Sequence, residues 1–383
     1  MKIRIAIYLL IFALTVSSCS IDISQSPAAT PSPQAETAPS VSSPTEMTPQ
    51  QNINVTPLPM TQIPVTWASL NLTGKLIYIS VRLEGSTYAV SLQMLDLVTG
   101  NSTVIFSAPK NTWIYYVTVS QDHKQLIMSY APPHDENPNI DQALYILPLD
   151  GSKPPQLIFQ PPTPADQYPQ VEWSPDGKFI YYTHVNYQNQ ADPNQVNPVY
   201  EIFRVSYPDG QQAKIVDRAY WPRLSPDSTR LVYVAVDPMS LQNKLMIADA
   251  DGANAREVAI SGAWNPNIKD APIFTPDGQT IIFSAEAKTP SFQPSPLEKM
   301  LAVTIAKADG TIPSDWWSVP ITGGQLTPIT RIHTIGLFAS VSPDHGYIAS
   351  ASGNGIFIMK PDGSELTFIL PDEVNSGTVT WIP

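Results

Sequence analysis

The chain has 383 residues, of which 43% are hydrophobic and 14% charged, with 40 prolines, one cysteine and a formal charge of -12. Such a composition can bury a large core, but so many prolines exclude an architecture of long helices and point to many short elements joined by turns. The acidic sum, with no basic cluster, argues against nucleic acid or an anionic membrane surface as partner, and one cysteine excludes an internal disulfide.

Lys2 and Arg4 tip the N-terminus with positive charge, and Ile5 to Val16 is an apolar run shorter than the ~20 residues a bilayer span needs. This is the shape of a signal peptide. Val16-Ser17-Ser18-Cys19 resembles the lipobox of bacterial lipoproteins, which implies removal of residues 1–18 and acylation of the Cys19 thiol. An ordinary secretory signal or an uncleaved anchor would be the alternatives. The expected location is the cell envelope, outside the cytoplasm, with the membrane as a partner through the N-terminal lipid. From Ser20 to Thr66 there are nine prolines, fourteen Ser or Thr and no Lys or Arg, so residues 19–66 are expected to form a disordered tether. A chain of that length spans ~40 Å on average.

From residue 67 to 383 one phrase returns. Val171 to Tyr182 reads V-E-W-S-P-D-G-K-F-I-Y-Y, a strand, a tight turn and a second strand. Pro175 and Asp176 suit the central positions of a type I turn, and Gly177 suits the left-handed position that closes a bulged hairpin. Counterparts are anchored at Asn71, Ser120, Ser225, Thr275 and Ser342, and successive anchors lie 49 to 67 residues apart. A second turn recurs in each unit, at Thr99-Gly100, Asp150-Gly151, Asp209-Gly210, Asp251-Gly252, Gly323-Gly324 and Asp362-Gly363. Each unit is therefore a meander of strands a, b, c and d with tight a–b and c–d turns. Strand b is nearly all apolar, as in Leu231-Val232-Tyr233-Val234, because neighbours cover both of its faces. Six such units predict an all-β fold, a six-bladed β-propeller of four-stranded antiparallel blades preceded by a disordered linker.

The phrase S-P-D-G-K-F-I-Y and the trailing D-G-S-E-L-T of Asp362 to Thr367 resemble the repeats of TolB-type propellers, also called WD40-like or PD40 repeats. The resemblance covers about residues 67 to 383 and implies the fold rather than an activity. The linker leaves no room for the domain that precedes the propeller in TolB, so the Tol–Pal partnership is not carried over. Two segments compete for the innermost strand of blade 1. Val379-Thr380-Trp381-Ile382-Pro383 matches V-E-W-S-P in register and is favoured over Val65-Thr66-Trp67. Blade 5 is irregular, since Asp309-Gly310 precedes Trp316-Trp317 and implies a spare hairpin or a long insertion.

The long insertions Pro132 to Gln142, Val185 to Pro198 and Lys288 to Lys299 are b–c loops, which a meander gathers at one end of the ring. Trp113, Tyr168, Trp221 and Trp264 fall on d–a connections or at the start of strand a, near the channel mouth at that end. They could form a platform for a sugar ring, peptide or protein side chain, or simply pack between blades. Two residues before the anchors stand Thr118, Glu172, Arg223, Ile273, Ser340 and, from the closing strand, Thr380. Most are polar and are expected to line the channel, where Glu172 and Arg223 of adjacent blades could pair as a structural ion pair or belong to a ligand site.

No catalytic residue, metal ligand or cofactor is expected. G-x-S-x-G and H-E-x-x-H are absent. His123 and His345 belong to turns, and Asp135 to Asp141 departs from a calcium loop because Ile140 stands where glycine is needed and no Glu follows at the twelfth place. The favoured function is a membrane-anchored binding scaffold that takes a protein, peptide or glycan on the b–c loop face. A glycan-active lyase or lactonase with its site in the channel is the alternative, and a module delivering substrate to a separate exported peptidase is a third reading.

Overall fold

Each repeat begins at a turn that satisfies its own polar groups. In the computed structural model, Ser174 Oγ donates to Asp176 Oδ1 at 2.7 Å and accepts the Phe179 N–H at 2.9 Å, while Asp176 Oδ1 also accepts the Lys178 N–H at 3.1 Å. The same Ser/Thr-x-Asp clasp forms at Ser120, Ser225, Thr275 and Ser342. It explains why the anchor is a hydroxyl residue and why Asp lies two places on: together they capture backbone groups that a sharp turn leaves unpaired. The next position is left-handed in all six copies, with φ of 84° at Gly74, 54° at His123, 72° at Gly177, 59° at Ser228, 63° at Gly278 and 64° at His345. His123 and His345 therefore do the work of glycine.

The structure describes residues 67–84, 87–110, 112–132, 142–187, 198–236, 243–262, 264–267, 269–287, 313–371 and 375–383. Cys19, the signal-like segment, the linker and the Asp135 to Asp141 run lie outside the described residues. The three b–c insertions lie largely outside them. Six antiparallel meanders make the ring. Blade 1 runs Asn375–Ile382, Lys75–Glu84, Thr87–Asp96 and Ser102–Ser107; blade 2 runs Trp113–Val119, Gln125–Ala131, Ala143–Pro148 and Gln156–Phe159. Blade 3 has Val171–Trp173 innermost, with Asp166–Gln167 extending it, then Phe179–Asn186, Val199–Ser206 and Gln212–Asp217. Blade 4 comprises Ala219–Leu224, Arg230–Val236, Asn243–Asp249 and Arg256–Glu257, and blade 5 Lys269–Phe274, Thr280–Glu286, Ser314–Pro320 and Thr327–Pro328. Phe338–Val341, Ile348–Ser352, Gly355–Met359 and Thr367–Pro371 form blade 6.

The C-terminal segment closes the ring, pairing Ile382 with Lys75, Trp381 with Leu76 and Val379 with Tyr78. Trp67 takes a different job. It opens a one-turn helix, Trp67–Leu70, and its indole covers Gly100 in the c–d turn of blade 1. In four other blades that glycine meets the outer strand of the preceding blade, or the chain just after it. A Cβ at Gly151, Gly252, Gly323 or Gly363 would come under 3.0 Å from the carbonyl oxygen of Ile105, Ile215, Ala259 or Ile329. Glycine is thus required twice over, by positive φ and by blade-to-blade approach. The blade 5 irregularity falls in the b–c connection between Glu286 and Ser314, and Asp309-Gly310 lies outside the described residues.

Candidate functional site

The inner strands carry the site. Four residues before the anchors of blades 2, 4 and 6 stand Tyr116, Trp221 and Phe338. Alternate blades around a ring of six point to a common axis, and the three rings meet there, with centroids 5.7 Å apart for Tyr116–Trp221, 5.6 Å for Trp221–Phe338 and 6.3 Å for Tyr116–Phe338. All three are buried. The channel is blocked by an aromatic plug. Local strain helps to build it: the ladder shifts register between Tyr220 and Arg223, and Trp221 sits at a φ of 60°, a conformation that costs a non-glycine residue about 1–2 kcal/mol. Ala271 repeats this bulge in blade 5, at a φ of 45°.

On the a–b turn side of the plug, polar side chains stitch neighbouring blades. Thr118 Oγ1 of blade 2 accepts the Trp173 N–H of blade 3 at 3.1 Å, and Ser340 Oγ of blade 6 accepts the Trp381 N–H of blade 1 at 3.0 Å. Arg223 pairs with Glu172 and lies over the Tyr116 ring, 5.4 Å from its centroid. Burial raises the Glu172 carboxyl above its ordinary value, opposed by the attraction of Arg223. The unpaired inner edge of each inner strand explains why this register is polar: its N–H groups need acceptors.

On the b–c side of the plug the chemistry changes. Asp270 of blade 5 accepts a hydrogen bond from the Tyr220 hydroxyl at 3.0 Å and another from the Trp221 indole, and Asn243 Nδ2 donates to the same Tyr220 oxygen at 2.7 Å. Burial pushes Asp270 up to about 6. The Tyr200 ring packs 5.2 Å from Tyr220, and Tyr115, Tyr187, Tyr200 and Asp270 all stay partly open to solvent. Burial raises Tyr115 and Tyr187 to about 12 and Tyr200 higher still, so all three are neutral phenols at physiological pH. Residues of blades 2 to 5 thus gather on the b–c side of the plug.

A second feature lies within blade 3 and its entry loop. A cleft of about 240 Å³ is lined by Tyr168, Tyr182, His184, Phe203 and polar residues including Gln212. Behind this wall lies a polar cluster: His184 bridges Asp166 at 2.8 Å and Glu201 at 3.1 Å, and Lys214 adds a 3.0 Å bond to Glu201. Although burial opposes ionisation of Asp166, hydrogen bonds from Thr163, His184 and Asn186 hold its carboxyl below the ordinary range. Among the described residues, no group of His, Cys, Asp or Glu is arranged to hold a metal ion.

The six residues singled out from the sequence fall in four places. Along the channel Glu172 pairs with Arg223, and Arg223 and Trp221 both pack against Tyr116. Tyr168 is buried against Tyr182 and His184 at the cleft. Trp113 meets Tyr88 of blade 1 edge-on at 6.1 Å, and Trp264 meets Trp317 of blade 5 at 4.5 Å, so both pack against neighbouring strands and neither joins the plug. Sequence reasoning missed Tyr116, Phe338 and Asp270. The signal was present one register further back: large aromatics four places before the anchor in every second blade.

No protein-family model matches the chain, and no curated protein matches it in sequence. Solved structures do match. TolB from Acinetobacter baumannii superposes with a TM-score of 0.55 at 17% identity, over 81% of this chain and 67% of that one. The putative TolB from Agrobacterium tumefaciens gives 0.53 at 15% identity, over 80% and 99%, and a chain of a nidogen/laminin complex gives 0.53 at 10%, over 80% and 97%. At such identities the likeness speaks for the fold. The protein is a six-bladed β-propeller of four-stranded antiparallel blades. It shares that fold with the two TolB structures.

Proposed function

We propose that the chain is a lipid-anchored, extracytoplasmic binding protein that takes a protein or peptide at the b–c end of its ring. One observation carries this reading: the Tyr116–Trp221–Phe338 plug turns a through-channel into a blind vestibule, and the tyrosines and Asp270 stand on the b–c side of it. A rigid, concave, aromatic wall with a few polar groups is what a side chain of a docking partner needs. Three long b–c connections leave and rejoin the blades at that end. The lipobox resemblance at Cys19 supplies the membrane attachment, since two or more acyl chains hold a protein stably where one does not.

The full-length protein and a version with its three b–c insertions shortened should be compared for bound partners recovered from envelope extracts. Loss of partners on shortening supports the reading, and equal recovery removes the b–c end from consideration. Cys19→Ala should move the protein from the membrane to the soluble fraction. A variant that stays in the membrane would overturn the anchor.

A further inference from the structure

On the b–c side of the plug stands a carboxylate that no basic side chain among the described residues neutralises. Glu172, the other acid of the inner strands near the axis, is answered by Arg223. Asp270 is met by neutral donors, the Tyr220 hydroxyl and the Trp221 indole. The adjacent Lys269 turns away from it: its ammonium donates to the carbonyl oxygens of Asn243, at 3.0 Å, and Pro266. Among the described residues no basic group pairs with Asp270. A carboxylate largely withdrawn from bulk water without a counter-charge is costly, and such groups concentrate where a ligand completes them.

The surroundings specify the missing partner. Tyr115, Tyr187 and Tyr200 keep some solvent exposure on this side of the plug, and Tyr187 and Asp270 both lie close enough to Tyr200 to disfavour its ionisation. Aromatic faces beside a carboxylate attract a compact cation through the ring quadrupole and the opposite charge together. The protein's formal charge of -12 also favours a positive ligand. We infer that the vestibule binds the primary ammonium of a peptide, which pairs with Asp270 between the rings of Tyr187 and Tyr200. This rests on the b–c end being the binding end and adds the class of group that enters it.

The test is calorimetric titration of the full-length protein with Nα-acetyl-lysine methylamide, with its uncharged counterpart Nα-acetyl-norleucine methylamide, and with alanyl-alanine amide in free and N-acetylated forms. The ammonium-bearing member of at least one pair should bind at least tenfold more tightly than its neutral partner. Preference for the lysine probe identifies a side-chain source, and preference for the free dipeptide identifies an N-terminus. Asp270→Asn should abolish the preference and Asp270→Glu should keep part of it. Because the variants alter a buried site, wild-type protein supplies an independent readout. Asp270 titrates near 6, so affinity should fall about tenfold between pH 7.5 and pH 5. Tyr200 and Tyr220 stay neutral across that range, whereas Lys269, lowered by burial to about 8, gains charge and acts in the same direction. Asp270→Asn must therefore remove most of the pH dependence. Equal binding of charged and neutral probes, no binding of either amine, or a preference that survives Asp270→Asn would each overturn the inference. If neutral or acidic peptides bind and Asp270→Asn leaves their affinity unchanged, only the ammonium assignment falls and the b–c end stands.

Discussion

Replacing Trp381 with alanine should unfasten the ring where the two ends of the propeller meet. The side chain is 6% exposed, its indole N–H donates to the Thr73 carbonyl at 3.0 Å, and its strand supplies the inner edge of blade 1. Trp→Ala in a packed core costs about 3–5 kcal/mol. Stability totals about 5–15 kcal/mol for a domain, so this one change consumes a large share of it. At roughly 2–4 °C per kcal/mol for a domain of this size or somewhat smaller, the midpoint should fall by roughly 6–20 °C. Trp67→Ala is the control. Trp67 is only half-buried and caps a turn, so its loss should cost about 1–2 kcal/mol, or roughly 2–8 °C. Scanning calorimetry on both variants decides the matter: a Trp67→Ala midpoint at or below that of Trp381→Ala would refute closure by the C-terminal strand.

Gly363→Ala should destabilise far more than Gly210→Ala, because only the first drives a Cβ into a neighbouring carbonyl; Gly210 has nothing within 4 Å. The second change should cost about 1–2 kcal/mol from its positive φ alone, and urea midpoints in the reverse order would contradict the packing argument. Glu172→Ala should cost about 3–5 kcal/mol by leaving Arg223 buried without its partner, whereas Glu172→Leu with Arg223→Met should recover most of that loss. Acid should weaken the turns. The carboxyls of Asp122, Asp176, Asp227, Asp277 and Asp344 all sit below the ordinary 3.8, Asp227 at about 2 through its bonds from Ser225 and Thr229. Folding keeps them ionised, so their contribution is complete above pH 4 and is lost as pH falls toward 2. Denaturant midpoints that stay flat from pH 5 to pH 2.5 would count against the clasp.

The ring was legible because its turns are local. Ser-Pro-Asp-Gly and Asp-Gly state their geometry within four residues, and the structure gives a positive φ to the glycine, or its stand-in, at every one of them. The Glu172–Arg223 pair was legible for a related reason: a fixed offset from the anchor places both in one register, and adjacent blades bring them together. Trp113 and Trp264 show where that logic stops. Being near the start of strand a does not say which face of a blade a side chain takes, and the bulges in these strands rotate it. Trp221, at a φ of 60°, turns into the axis, while Trp264 folds onto Trp317. Asp270 was hidden for the same reason, since its register has no repeated residue type to mark it.

The central claim, that ligand enters from the b–c end and stops at the plug, is tested most directly by placing a photo-cross-linking residue at Tyr187 and, separately, at Lys178 on the a–b turn end of the same blade. In cells, Tyr187 should yield discrete cross-linked products that disappear when Trp221→Ala is added, and Lys178 should yield none. Products from Lys178 alone would put the binding surface at the opposite end of the ring.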